Sequence, residues 1–171
     1  MLYELTVPQL TKMLHNLSHC LDRAAAFAES KKFDSGVLLR SRLAPDQFDL
    51  IRQVQIACDN AKNGVARLTG TTAPNHEDNE KTLEELKARI DKAIAFVRSV
   101  PQEAFLGASA RHCSQPRWAE KYLTGDEYVV QYLLPNFYFH VTTAYAILRH
   151  NGVELGKKDF LGELPYKAPA A

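Results

Sequence analysis

Residues 134 to 162 read LPNFYFHVTTAYAILRHNGVELGKKDFLG, and this stretch decides the fold. Pro135 and Asn136 predict the start of a helix, because proline is tolerated in a first turn and asparagine is a good cap residue. Asn151 and Gly152 predict its end, since glycine adopts the left-handed conformation at least cost. At about 100° per residue, one face of this helix carries Phe137, His140, Val141, Ala144, Ile147 and Leu148. The stretch therefore predicts an amphipathic helix with an inward histidine.

His140 is the candidate functional residue of this helix, and two interpretations of it stay open. A neutral core imidazole would donate one ring hydrogen to a buried acceptor, because buried polar groups are nearly always paired. Alternatively, His140 would act as a ligand or proton carrier in a pocket within the bundle. Together with Asn136 and Tyr132 in an aromatic-rich wall, it forms the predicted small-molecule pocket.

Three further stretches have a helical period. The first runs from Pro8 to Lys31, and Asp46 is predicted to cap the second. The inward face of the second helix consists of Leu50, Val54, Ala57, Cys58, Ala61, Val65 and Leu68. The third ends before Pro101 and directs inward Leu83, Leu86, Ile90, Ala93, Ile94, Val97 and Val100. These patterns predict an all-α bundle of four helices in a single domain, residues 1–171.

Composition excludes several classes of partner. Lys and Arg total 21 against 20 Asp and Glu, and no basic run is longer than a pair, so no nucleic acid or anionic membrane partner is predicted. No apolar run approaches the ~20 residues needed to span a bilayer. The opening MLYELTVPQL lacks the charge pattern of a secretory signal. Three widely separated cysteines, Cys20, Cys58 and Cys113, favour reduced thiols and a cytoplasmic protein.

Residues 102–124 lose the helical period and predict a long irregular connection before the fourth helix, with a short hairpin or a helical turn. His112 and Cys113 are adjacent there, and the nearby Arg111 and Arg117 would lower the pKa of the thiol. On an extended segment, however, adjacent side chains point in opposite directions. After the fourth helix, Phe160 and Leu161 are expected to pack back on the bundle, and about five final residues to be loose.

Two segments of the chain resemble a known family. The run PNFYFHVTTAYAILRHNG followed by GKKDFLG, and the opening YELTVPQLTKML, are similar to the domain-of-unknown-function family DUF1993. The resemblance covers essentially the whole chain. It implies a DinB/YfiT-like four-helix bundle, in a superfamily whose members are often dimeric and often described as metalloenzymes, some of them implied to be metal-dependent thiol-transfer enzymes.

The sequence departs from the metal site that the resemblance implies. That site is similar to a three-histidine arrangement, with one ligand on the second helix and an HxxxH pair on the fourth. The predicted second helix contains no histidine, and the residues four before and four after His140 are Asn136 and Ala144. A single imidazole is too few ligands to hold zinc or nickel. We therefore expect no metal cofactor.

Three functions remain in competition, and the sequence does not decide whether the protein is an enzyme. The first is a homodimeric bundle that binds a small molecule near His140. The second is a metal-dependent transferase or hydrolase that combines His140 with the loop residues His112, Cys113 or His76. The third is a structural or interaction module that uses the exposed helical face of His15 and His19. Nucleotide cradles, GxSxG elbows and HExxH helices are absent from the sequence.

Overall fold

Four long helices form the bundle in the computed structural model, which describes residues 1–168. They are α1 (Leu2–Lys31), α3 (Leu50–Thr69), α4 (Leu83–Ser99) and α6 (Leu134–His150), and the short helices are α2 (Gly36–Leu39), α5 (Gly125–Glu127) and α7 (Lys157–Leu161). A π-helical segment, Tyr128–Leu133, leads directly into α6. The 3₁₀ turns are Gln102–Phe105, Ala108–Ala110 and Pro116–Trp118.

The four long helices α1, α3, α4 and α6 run in the directions up, down, down and up. Helices α1 and α6 run parallel, because Gln9 binds Tyr138 near the start of α6 while Arg23 donates to the Glu154 carbonyl after its end. Helix α4 is antiparallel to α1, since Lys87 pairs with Asp22 and Arg98 with His15. Consecutive parallel helices require a crossover, and residues 70–82 supply it between α3 and α4.

The buried side chains form one apolar cluster, and the sequence predicts its helical faces. Every residue that was expected to face inward from the second and third helices is buried, as is the predicted inward face of α6. The all-α bundle is therefore confirmed. The irregular connection before α6 is also confirmed, and within it β1 (His112–Cys113) pairs antiparallel with β2 (Leu123–Thr124).

Two predicted helix starts are wrong. Helix α1 begins at Leu2, so Pro8 lies inside it. Pro8 has no N–H for the carbonyl four residues earlier, and the burial of Leu2, Thr6 and Val7 offsets the cost of leaving that carbonyl unpaired. Helix α3 begins four residues after the predicted cap. Asp49, and not Asp46, accepts the hydrogen bond from the Arg52 amide at 3.0 Å.

The start of α6 also differs from the prediction. Asn136 is not a cap, since the chain is already helical through the π segment and α6 has no side-chain cap. Pro135 is the second residue of α6, and it lacks the backbone N–H that would otherwise bond a carbonyl of the preceding π segment. The predicted end is confirmed, with Gly152 at φ 92°.

The C-terminal segment returns to the bundle as predicted. The Phe160 ring packs edge to face on Tyr145, 5.7 Å between centroids, and its carbonyl accepts from Asn16. Leu161 is half-buried beside it. The last residues that were expected to be loose include 169–171, which lie outside the described residues.

Gly64 lets α3 approach the π segment closely. A Cβ at this position would lie 2.4 Å from Leu133 Cδ1, and Leu133 is fully buried. We expect Gly64→Ala to lower the free energy of unfolding by about 1–2 kcal/mol, because overpacking outweighs the higher helix propensity of alanine. Urea unfolding measures this. Leu133→Ala should cost less in the Gly64→Ala background than in the wild type, and strictly additive costs would contradict the proposed clash.

Candidate functional site: a polar seam between α3 and α6

A line of polar side chains crosses the otherwise apolar contact between α3 and α6. Gln53 and Asn60 are seven residues apart on α3, and they meet His140 and Asn136, four residues apart on α6. Because the two helices are antiparallel, the order of contacts is reversed along α6. Tyr132 continues the line on the π segment. We call these five residues the polar seam.

The Gln53 amide determines which nitrogen of His140 carries the proton. Gln53 Nε2 donates to the Phe48 carbonyl at 3.1 Å, so Gln53 Oε1 faces the imidazole, 2.7 Å from His140 Nδ1. A carbonyl oxygen only accepts, and therefore Nδ1 carries the hydrogen. His140 Nε2 is left as a hydrogen-bond acceptor without a protein partner within residues 1–168.

Burial keeps His140 neutral. Loss of hydration, together with the nearby Arg52 guanidinium, lowers its pKa to about 4. The neutral tautomer assigned from Gln53 is therefore the form present at physiological pH. This confirms the predicted inward orientation, and a ring hydrogen is donated to a buried acceptor as the first interpretation requires.

The two asparagines of the seam leave one donor unused. Asn136 Nδ2 donates to Asn60 Oδ1 at 3.0 Å. Asn60 Nδ2 is buried and has no hydrogen-bond partner within the described chain. A buried amide without a partner costs about 1–3 kcal/mol, so this nitrogen calls for an acceptor that the protein does not supply.

An aromatic cluster lies at the Tyr132 end of the seam. Trp118 packs edge to face on Tyr132 with 4.9 Å between ring centroids, and the Tyr132 hydroxyl accepts from Arg117. A cavity of about 540 Å³ opens beside this cluster and is lined by Arg117, Trp118, Ala119, Lys121, Tyr122 and Leu123. The volume falls in the range that holds small ligands.

The seam does not fit a metal ion of the kind that the resemblance implies. His140 contributes one nitrogen, and the side chain that faces it is the Gln53 amide, a weak ligand for zinc or nickel. In residues 1–168, no three His, Cys, Asp or Glu side chains are arranged to hold a metal ion. The chemistry available at the seam is therefore hydrogen bonding, with one acceptor on His140 and one donor on Asn60.

The loop residues considered as additional ligands lie at different places. His112 is exposed and stacks on Tyr122 with 3.7 Å between centroids. Cys113 is buried beneath it, and its thiol lies 3.8 Å from the Arg67 carbonyl. The opposite orientation of these neighbours is as predicted. The pKa of the Cys113 thiol is nevertheless raised, because burial outweighs the lowering that was expected from basic neighbours and that Arg111 and Arg67 supply.

His76 belongs to a charged cluster on the other side of α3. Burial and the nearby Lys62 and Arg89 charges lower its pKa. Arg89 is 2% exposed and binds Asp59 of α3 together with Asp78 and Glu80 of the crossover. These contacts hold the crossover of residues 70–82 against the bundle.

His15 and His19 are exposed on α1, as the sequence predicts. His15 Nε2 accepts from Arg98 at 3.2 Å, while His19 Nε2 lies 3.3 Å from an Asp159 oxygen of α7. Each histidine has its own partner from another element. They do not act as a pair.

Sequence reasoning missed the α3 half of the seam. Gln53 and Asn60 flank the predicted apolar face, and their spacing of seven, continued by Arg67, is the signal that would have found them. Positions seven apart lie close to one side of a helix. Arg67 also contributes to the line, since it donates to the Tyr128 hydroxyl at 3.4 Å.

Comparison with known proteins identifies the family of this chain and a similar crystal structure. Residues 2–161 match the family described as domain of unknown function DUF1993. A crystal structure of a DinB family member protein from Shewanella denitrificans superposes with a TM-score of 0.95 at 60% sequence identity, covering 99% of this chain and 96% of that one. No curated protein sequence matches significantly. Within the described residues, no helix is both long and apolar enough to cross a membrane.

Proposed function

We propose that this chain, which belongs to the DUF1993 family and has the DinB fold, binds a small neutral molecule in the polar seam. We also propose that it lacks the three-histidine metal site of the superfamily. The observation that carries the proposal is the buried Asn60 Nδ2, which has no hydrogen-bond partner within residues 1–168. Asn60 contacts Asn136, which lies one helical turn along α6 from His140 and its acceptor Nε2. A ligand that both donates and accepts, such as an amide or an alcohol, complements these two atoms.

Charge supports a neutral ligand. At the His140 end of the seam, His140 is neutral and the nearby Arg52 guanidinium is already paired with Asp78, so within residues 1–168 this end presents no unpaired cation to an anion. The carboxylates of Asp59, Asp78 and Glu80 are paired with Arg89, so they are not free to bind a cation. Recognition would therefore rest on hydrogen bonds and on ring stacking against the Trp118 and Tyr132 cluster.

A thermal-shift screen of amide- and hydroxyl-bearing metabolites tests the proposal. Compounds that raise the melting temperature of the wild type should bind Asn60→Leu about ten-fold more weakly, because one buried hydrogen bond is lost. Asn63→Leu is the matched control, since Asn63 lies one turn further along α3 and outside the seam. A broad panel that moves nothing, or ligands that bind Asn60→Leu unchanged, would end the proposal.

A homodimer is a second candidate, supported by exposed aromatic side chains beside the seam. Phe139 packs edge to face on His140, and the Phe48 carbonyl binds Gln53, yet both phenylalanine side chains are 56% exposed. A second copy that covered them would also close the seam. Sedimentation velocity at micromolar concentration should give a dimer that Phe139→Ser dissociates. A wild-type monomer would exclude this candidate.

A further inference from the structure

We propose that a groove on the outer side of α1 binds a small monoanionic carboxylate with an apolar body. The groove has a volume of about 590 Å³ and lies between α1, Arg98 at the end of α4 and Glu163 after α7. We call it the α1 groove. It shares no residue with the polar seam, so this proposal is independent of the proposed function.

Three basic side chains converge on the α1 groove. Lys12 and His15 come from α1, and Arg98 comes from α4. Neither Lys12 nor Arg98 forms an ion pair within residues 1–168. Arg98 instead donates to His15 Nε2 at 3.2 Å, an acceptor that leaves its positive charge uncompensated. A carboxylate would supply the missing countercharge and accept from the guanidinium.

Thr11 supplies a buried hydroxyl at the floor of the groove. Its side chain is 5% exposed, and Oγ1 is buried without a hydrogen-bond partner in the described part of the chain. Buried hydroxyls are nearly always paired in native proteins. Since Thr11 lies beside Lys12 and lines the same groove, a ligand oxygen placed between the basic groups would satisfy it.

The remaining lining selects the kind of anion. Tyr3, Val7 and Pro8 form an apolar wall along α1, and the Tyr3 ring is fixed edge to face against Phe105 at 5.5 Å. Glu163 is the acidic residue of the lining. With Lys12 and Arg98 positive and Glu163 negative, the groove carries about one net positive charge, which matches a monoanion better than a phosphate dianion.

Titration of the full chain with 3-phenylpropionate, followed by ¹H–¹⁵N NMR, tests the proposal. We expect a Kd near or below about 1 mM for a ligand of this size, with shifts at the amides of residues 3–16 and 98. The uncharged isostere 3-phenylpropionamide should bind at least about ten-fold more weakly, because it lacks the charge that Arg98 and Lys12 recognise.

Two variants separate binding from folding. Arg98→Gln should weaken 3-phenylpropionate about ten-fold, while Arg149→Gln, at an exposed arginine on α6, should leave the Kd unchanged. Thr11→Val should weaken binding without lowering the melting temperature of the free protein, because the hydroxyl has no partner to lose. No binding up to about 10 mM, equal binding of the amide, or wild-type affinity in Arg98→Gln would each overturn the proposal.

Discussion

Arg89→Met is expected to lower the free energy of unfolding by about 3–5 kcal/mol, because it breaks a buried ion-pair cluster. The guanidinium is nearly fully buried and binds Asp59, Asp78 and Glu80 at 2.8–3.0 Å. Methionine fills much of the same volume but removes the cation that Glu80 binds, whereas Asp59 keeps Lys62 and Asp78 keeps Arg52. Glu80, whose side chain is 9% exposed, would bear most of the cost.

Arg89→Met should destabilise the crossover of residues 70–82 more than the rest of the bundle. Arg89 joins α3 to the crossover of residues 70–82, which must run back along the bundle because α3 and α4 are parallel. Hydrogen exchange should therefore show the crossover opening first in Arg89→Met. Lys87→Met, which removes an exposed ion pair with Asp22, is the matched control and should change stability by less than about 1 kcal/mol. A similar loss in both variants would contradict the role given to burial.

The wild type should lose stability between pH 6.5 and pH 4 because of His140. The pKa of this histidine is about 4 in the folded protein and 6.5 as its ordinary value. Between these values the unfolded chain binds the extra proton, so the free energy of unfolding rises with pH. The full stabilisation is present above pH 6.5. About 3 kcal/mol of the free energy of unfolding is lost once the pH falls below 4.

Comparison of variants isolates this histidine from the acidic groups that also titrate. His140→Gln should flatten the dependence of stability on pH between 6.5 and 4, measured by urea unfolding. His112→Gln removes an exposed histidine and should keep the wild-type slope. If His140→Gln and the wild type had parallel pH profiles, the imidazole would be charged in the folded protein or exposed to water.

The sequence predicts apolar helix faces well, because a period of 3.6 residues is a local property. It predicts the position of His140 for the same reason. Partners across helices are not local: Gln53 and Asn60 become visible only when α3 lies antiparallel to α6. Arg89 is missed because a charged residue in a helix is ordinarily solvated, and its burial depends on a crossover that folds back over α4.

Helix starts show the same limit. Asp46 and Asp49 are equally good caps by residue type, and the backbone conformation at Asp49 decides between them. At α6 the π segment makes a cap unnecessary, so the cap chemistry of Asn136 is used instead for a contact with Asn60. Residue preferences thus indicate that a helix begins nearby, while packing fixes the residue.

The state of the His140 ring is the most direct test of the central claim that the seam presents hydrogen-bonding atoms and not a metal site. A long-range ¹H–¹⁵N NMR spectrum at pH 7, recorded before and after one equivalent of zinc, reports both nitrogens. The account predicts a protonated Nδ1 and an unprotonated Nε2 in a neutral ring, with no change on adding zinc. A protonated Nε2, or a zinc-induced shift with stoichiometric retention of the metal after dialysis, would contradict it.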